Sequence, residues 1–211
     1  MAQAIRTRPA LPRIAPLALA ALVLAGFPAL GREMAPKPPP AEPSAARIPG
    51  PVCVAEHRRA FQVALGEAQA RMRDALRLAR DEPGHPHLRR WFGSTPPATV
   101  RRALERTAAQ LERAEELKIL CNVPSDCRGT TLAYTRPGAA ILGLCPRFFE
   151  AGHDGVDSRW GILIHEASHL AAGTDDHAYG REAALVLAKR DPKRAAANAD
   201  NYEYFVETLP R

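Results

Sequence analysis

The sequence predicts a mostly helical α+β domain with a small β-sheet, and three observations carry that expectation. Two stretches, Val54 to about Arg80 and about Ala98 to Leu120, place apolar residues at helical spacing. The segment TTLAYTRPGAAILGLC, Thr130 to Cys145, has short β-prone runs around a turn. The C-terminal third returns to helical patterning around His165-Glu166-Ala167-Ser168-His169.

The chain has 211 residues, enough for one domain of ordinary size plus an appendage. Arg6, Arg8 and Arg13 precede the uncharged run Ile14–Phe27, which is short for a membrane span, and Pro16 and Pro28 interrupt its extended version. With small residues Ala29 and Gly31 ahead of Arg32, residues 1–31 read as a signal peptide. Residues 32–51, rich in proline and alanine, read as a semi-rigid spacer. That leaves 52–211 as the mature domain. No cysteine follows the signal, so no stable membrane anchor is expected after cleavage, and the location is secreted or periplasmic, in the cell envelope.

The formal net charge is +6. The first 31 residues supply three of those charges. Arg32, Lys37 and Arg47 against Glu33 and Glu42 supply one more, which leaves +2 for the domain. With no basic stripe interleaved with aromatics, no nucleic-acid partner is expected. Cys53, Cys121, Cys127 and Cys145 suit an oxidising compartment and match neither a zinc ribbon nor a CxxC motif. Three pairings are open to them.

In the first helix, Phe61, Leu65, Ala68, Met72, Ala75, Leu76 and Ala79 share a face. Pro83, Gly84 and Pro86 end it, and Trp91 and Phe92 follow as core aromatics. Thr95 and Pro96-Pro97 introduce the second helix, whose buried side is Val100, Leu104, Ala108, Leu111 and Ala114. Strands are expected at Thr130–Thr135 and Ala139–Cys145, joined by Arg136-Pro137-Gly138. Phe148 and Phe149 should pack beneath the next helix. Ser158 caps that helix, which starts near Arg159, and Gly173 ends it. Two more helices are expected, Tyr179–Arg190 and Arg194–Glu207, separated by Asp191-Pro192.

His165 and His169, four apart, project from one helix face, with Glu166 about 100° around from His165. This is the division of labour that zinc hydrolysis needs: two imidazoles on the metal and a carboxylate to take a proton from water. The apolar turn Gly161–Ile164 buries the start of the helix. A third ligand is required. The metzincin spacing fails, because Ala172 and Asp175 stand where it has glycine and histidine. Glu182 and Glu203 on later helices, or Asp175, Asp176 and His177 just past the turn, remain eligible by spacing.

HExxH followed by Gly173-Thr174-Asp175-Asp176-His177-Ala178-Tyr179-Gly180 resembles the aspzincin metallopeptidases, whose pattern here is GTxDxxYG. The flanking segments ILGLCPRFF, NADNYEYF and Trp91-Phe92-Gly93 resemble the same family, so the likeness spans about residues 53–208. It implies a zincin-like single domain and one Zn²⁺ per chain held by His165, His169 and Asp176. It implies Glu166 as general base and Tyr179 as a donor to the oxyanion. The four cysteines resemble the lysine-specific branch, which implies the pairs Cys53–Cys121 and Cys127–Cys145.

Asp200 and Glu203 are three apart and can face one side of the last helix, where paired acids favour a cationic side chain. The resemblance assigns the matching acids to reading lysine on the primed side of the scissile bond. The expected activity is therefore a secreted zinc endopeptidase acting on lysine-containing proteins or peptides. Two alternatives are an exported noncatalytic zinc-containing binding domain and a peptidase of cell-wall cross-link peptides.

Overall fold

The computed structural model describes residues 53–210. The signal peptide and spacer expected at 1–31 and 32–51 lie outside them. Helix α1 (Ala55–Asp81) buries Phe61, Leu65, Ala68, Met72, Ala75 and Ala79, the face read from the sequence, and adds Ala64. Leu76 lies at its edge, partly buried. Each large apolar side chain withdrawn from water here stabilises the fold by roughly 1.5–3 kcal/mol.

Helix α2 (Pro86–Phe92) is an addition to the sequence reading, which took this stretch only as core aromatics. Pro86 suits the first helical position, and the His85 ring accepts from the His87 amide at 3.1 Å. Gly93, at φ 57°, ends α2 where a Cβ would lie 2.2 Å from the Ala188 carbonyl. Helix α3 (Pro97–Glu112) buries Val100, Leu104 and Leu111 as expected, with Ala103 and Thr107 beside them.

The second helix was expected to reach Leu120, but it ends at Glu112. A 3₁₀ turn at Ala114–Glu116 leads into strand β1 (Lys118–Cys121). The reason is nonlocal: β1 runs parallel to β3 (Ile141–Leu144), with Lys118 opposite Ile141 and Cys121 opposite Leu144. Strand β2 (Ala133–Arg136) pairs antiparallel with β3, giving the order β1-β3-β2. The hairpin exists as predicted, with strands shorter than expected.

Disulfides join Cys53 to Cys121 and Cys127 to Cys145, the pairs the resemblance implies. Loops of 68 and 18 residues correspond to roughly 4 and 3 kcal/mol in the chain-entropy account. A short helix α4 (Pro146–Glu150) seats Phe148 in the core beside α5.

Helix α5 (Arg159–Ala172) is the central element, lying against α1, α3, α8 and β2. Ser158 caps it by accepting from the Gly161 amide at 3.0 Å. Gly173, in the left-handed region at φ 69°, ends it. Helix α6 (Arg181–Arg190) starts two residues later than expected. The expected helix 194–207 is two helices, α7 (Pro192–Ala195) and α8 (Ala199–Glu207). The chain breaks between them because Asn198 and its neighbours bond to residues 175–178 instead of continuing a helix. Among the described residues no helix is long and apolar enough to cross a membrane.

Candidate metal centre and cleft

Helix α5 supplies His165 and His169, and the turn at Gly173 returns the chain so that Asp176 meets both rings. His165 Nε2 lies 3.1 Å from Asp176 Oδ1, His169 Nε2 lies 3.2 Å from the same oxygen, and the two Nε2 atoms are 3.1 Å apart. The other eligible residues do not join this triangle. Asp175 forms a backbone bridge to Asn198, His177 lies near Arg194, and Glu182 is exposed on α6.

Each imidazole is oriented by its second nitrogen. His169 Nδ1 donates to the Thr174 carbonyl at 2.8 Å. His165 Nδ1 faces Asp200 Oδ1 at 2.9 Å and Glu203 Oε2 at 3.2 Å. These acceptors hold the Nδ1 proton of each ring and aim each Nε2 at Asp176. Burial works against charging His165, but Asp176, Asp200 and Glu203 outweigh it and raise its pKa well above the ordinary value. At Asp176 burial pulls upward, while the two imidazoles and the Tyr179 phenol hold the carboxyl well below its usual range. The field of the site therefore favours positive charge at the point the three donors share.

This triangle fits a zinc ion. Three donors about 2.0–2.1 Å from one tetrahedral ion stand about 3.3 Å apart, close to the separations present. The donor set of two neutral imidazoles and one carboxylate leaves a fourth position open.

The loop carrying Asp176 is fixed from α8. Asn198 Oδ1 accepts from the amides of His177 at 2.7 Å and Ala178 at 2.9 Å. Its Nδ2 donates to the Ala178 carbonyl and to Asn201 Oδ1. Asn201 in turn bonds the carbonyls of Trp91 and Ala184. Ser168 and Thr174 hydroxyls meet at 2.7 Å across the turn. The sequence reading did not single out these four positioning residues. Thr174 does fall in the GTxDxxYG pattern, and Asn198 and Asn201 fall in NADNYEYF, but neither motif by itself says that these side chains bond backbone.

Tyr179 stands beside the triangle, its phenol donating to Asp176 Oδ2 at 2.9 Å, with the residue 71% exposed. Glu166 is buried and lines the same cleft, one residue from His165. Burial raises its pKa, against the pull of both histidines and the Thr135 hydroxyl. Asp200 and Glu203 are also buried in the cleft wall, not solvated helix charges. Asp200 uses both carboxylate oxygens inside the protein, the second accepting from the Gly180 amide at 2.5 Å. Glu203 leaves Oε1 buried without a partner. Burial, with Asp200 and Asp157 adding to it against His165, pushes its carboxyl to about 7. The cleft holding these groups is about 890 Å³, with Thr130–Ala133 forming part of its wall.

A family model described as lysine-specific metallo-endopeptidase, the aspzincins, matches residues 77–207. An extracellular protease of Aeromonas hydrophila is 39% identical over 136 residues, covering 63% of this chain and 39% of that protein. A peptidyl-Lys metalloendopeptidase of Grifola frondosa is 34% identical over 167 residues, covering 75% and 46%. The chain therefore spans less than half the length of these curated relatives. A solved zinc peptidase from Grifola frondosa superposes with a TM-score of 0.66 at 32% identity, covering 74% of this chain and 96% of that one.

Proposed function

The chain belongs to the aspzincin family, and from that premise we propose that it is an exported zinc endopeptidase that hydrolyses peptide bonds followed by lysine. The observation that carries the hydrolytic reading is the triangle of His165, His169 and Asp176, with both imidazoles oriented Nε2-inward. Export is supported by the N-terminal sequence pattern, by two disulfides and by the extracellular relative.

Bound at the triangle, zinc supplies a Lewis acid that polarises the scissile carbonyl and lowers the pKa of a water. The remaining chemistry belongs to the chain. Glu166, its basicity raised by burial, accepts the proton of the attacking water and delivers it to the leaving amine. Tyr179, exposed beside Asp176, donates its phenol to the oxyanion as charge develops there. Asp200 holds His165 in its working tautomer.

Lysine selection is supported by Glu203, which lines the same cleft as Glu166 and has a buried Oε1 without a partner. A cationic side chain entering beside the reacting bond satisfies that oxygen, whereas a neutral one leaves it unpaired. Metal analysis combined with cleavage of intact proteins tests this reading. Wild type should hold one zinc per chain and release peptides that begin with lysine. Glu166→Ala should keep zinc and lose about 10²–10⁴-fold in rate, whereas Asp176→Ala should lose both zinc and activity. Full zinc occupancy in wild type without cleavage would sink the peptidase reading.

A further inference from the structure

The loop between α4 and α5 brings one more carboxylate into the cleft, and neither the metal triangle nor the proton-transfer groups use it. Asp157 lines the cleft with Glu203 and Tyr204 and is exposed, directly ahead of the α5 cap Ser158. The Tyr204 phenol, on a residue only 2% exposed, donates to Asp157 Oδ1 at 2.6 Å. Burial and neighbouring carboxylates push that phenol well above its ordinary pKa, so it stays a donor. One carboxylate oxygen is thus fixed, while the other makes no hydrogen bond among the described residues.

The independent sign of a ligand is Glu203. It is 3% exposed, its Oε2 faces His165 Nδ1, and its Oε1 is buried with no partner. A buried carboxylate oxygen left unpaired carries a desolvation cost that an incoming donor removes. Asp200 offers no such oxygen, since His165 and Gly180 engage both of its own. Of the cleft carboxylates on α8 and on the loop ahead of α5, Glu203 and Asp157 each have an oxygen without a hydrogen bond among the described residues.

We propose that Asp157, held by the Tyr204 phenol, is a specificity-determining residue that meets the substrate's lysine ammonium together with Glu203. This rests on the lysine reading above and adds the second contact. An ammonium carries three donors, so it can bond acids from two elements at once. A neutral side chain of equal length gains nothing from either.

The test compares wild type, Asp157→Asn and Tyr204→Phe on paired peptides with lysine or norleucine after the scissile bond. Asp157 sits at φ 55°, a left-handed conformation that Asn also tolerates, so the first variant removes charge and keeps the loop. Its kcat/KM on the lysine peptide should fall roughly tenfold, chiefly through KM, with the norleucine peptide unchanged. Tyr204→Phe should give a smaller loss in the same direction. An unchanged lysine-to-norleucine ratio in Asp157→Asn overturns the proposal, and so does an equal fall on both peptides. A wild type that does not prefer lysine overturns the lysine reading itself, and that outcome is visible before any variant is assayed.

Discussion

Replacing Asp200 by asparagine separates holding the metal from reading the substrate. Asp200 is 5% exposed and accepts from His165 Nδ1 at 2.9 Å and from Gly180 at 2.5 Å. Asparagine has the same shape but only one acceptor oxygen. If that oxygen stays on the Gly180 amide, the new NH₂ points at the Nδ1 proton of His165. Donor then faces donor, and the clash is relieved by moving the imidazole proton to Nε2, the atom of the metal triangle. Glu203 Oε2, at 3.2 Å, opposes that move without fully replacing the lost acceptor. Losing such an orienting acceptor costs about 10–100-fold in metal affinity, or about 1.4–2.7 kcal/mol. The mispaired buried group costs a further ~1–3 kcal/mol of stability in the metal-free protein. Zinc competition against a chromogenic chelator measures the first, and denaturant unfolding of the chelated protein the second. The lysine-to-norleucine ratio should stay within about threefold of wild type, because both Asp200 oxygens already have partners inside the protein. Zinc affinity within twofold of wild type, together with a collapsed ratio, would refute this division and make Asp200 a reader of lysine.

Tyr179→Phe should lower kcat by about 10²–10³ while zinc content at saturation and KM change little, as expected for a donor used in the transition state. Steady-state kinetics check this, and an unchanged kcat would remove Tyr179 from the mechanism. Glu207 bears on pH dependence. Burial, with Glu203 adding to it, pushes its carboxyl up to about 8, against an ordinary value of 4.5, while Ser158 pulls it down. Between those two values the folded state keeps a proton that the unfolded state has lost, so stability falls as pH rises from about 4.5 to 8. Glutamine reproduces the protonated form and can still accept from Ser158 N and Oγ, now at 2.8 and 2.7 Å. Glu207→Gln should therefore flatten the loss of stability over that window. Denaturant midpoints at pH 5 and pH 8 test it, and a slope equal to that of wild type would contradict it.

What could be read in advance was local. Helix α5 carries its own cap, its apolar first turn and its terminating glycine within sixteen residues, Ser158 to Gly173, so its limits were legible. The third donor was within reach of the same stretch, though spacing left Asp175, Asp176 and His177 equivalent and only the GTxDxxYG likeness separated them. Strand β1 was hidden because KILC continues a helical pattern, and its partner β3 lies farther along, inside the Cys127–Cys145 loop. The break before α8 was hidden for a similar reason. Alanines 195–197 favour helix, and what stops them is the side chain of Asn198 bonding residues twenty positions away. The tie from Glu207 to Ser158 spans 49 residues and fills the space that Gly161 leaves open, where a Cβ would lie 2.1 Å from Glu207 Oε1. No short motif announces such a pair.

The Asn198 anchorage has a consequence for redesign. Because one amide side chain and one backbone bridge tie Asp175–Ala178 to the start of α8, the proposed ligand Asp176, the phenol of Tyr179 and the acid of Glu203 form a single exchangeable part. A new preference at the scissile bond is therefore best installed by transplanting residues 174–204 whole. Repainting α8 alone would leave its first turn gripping a loop shaped for a different helix.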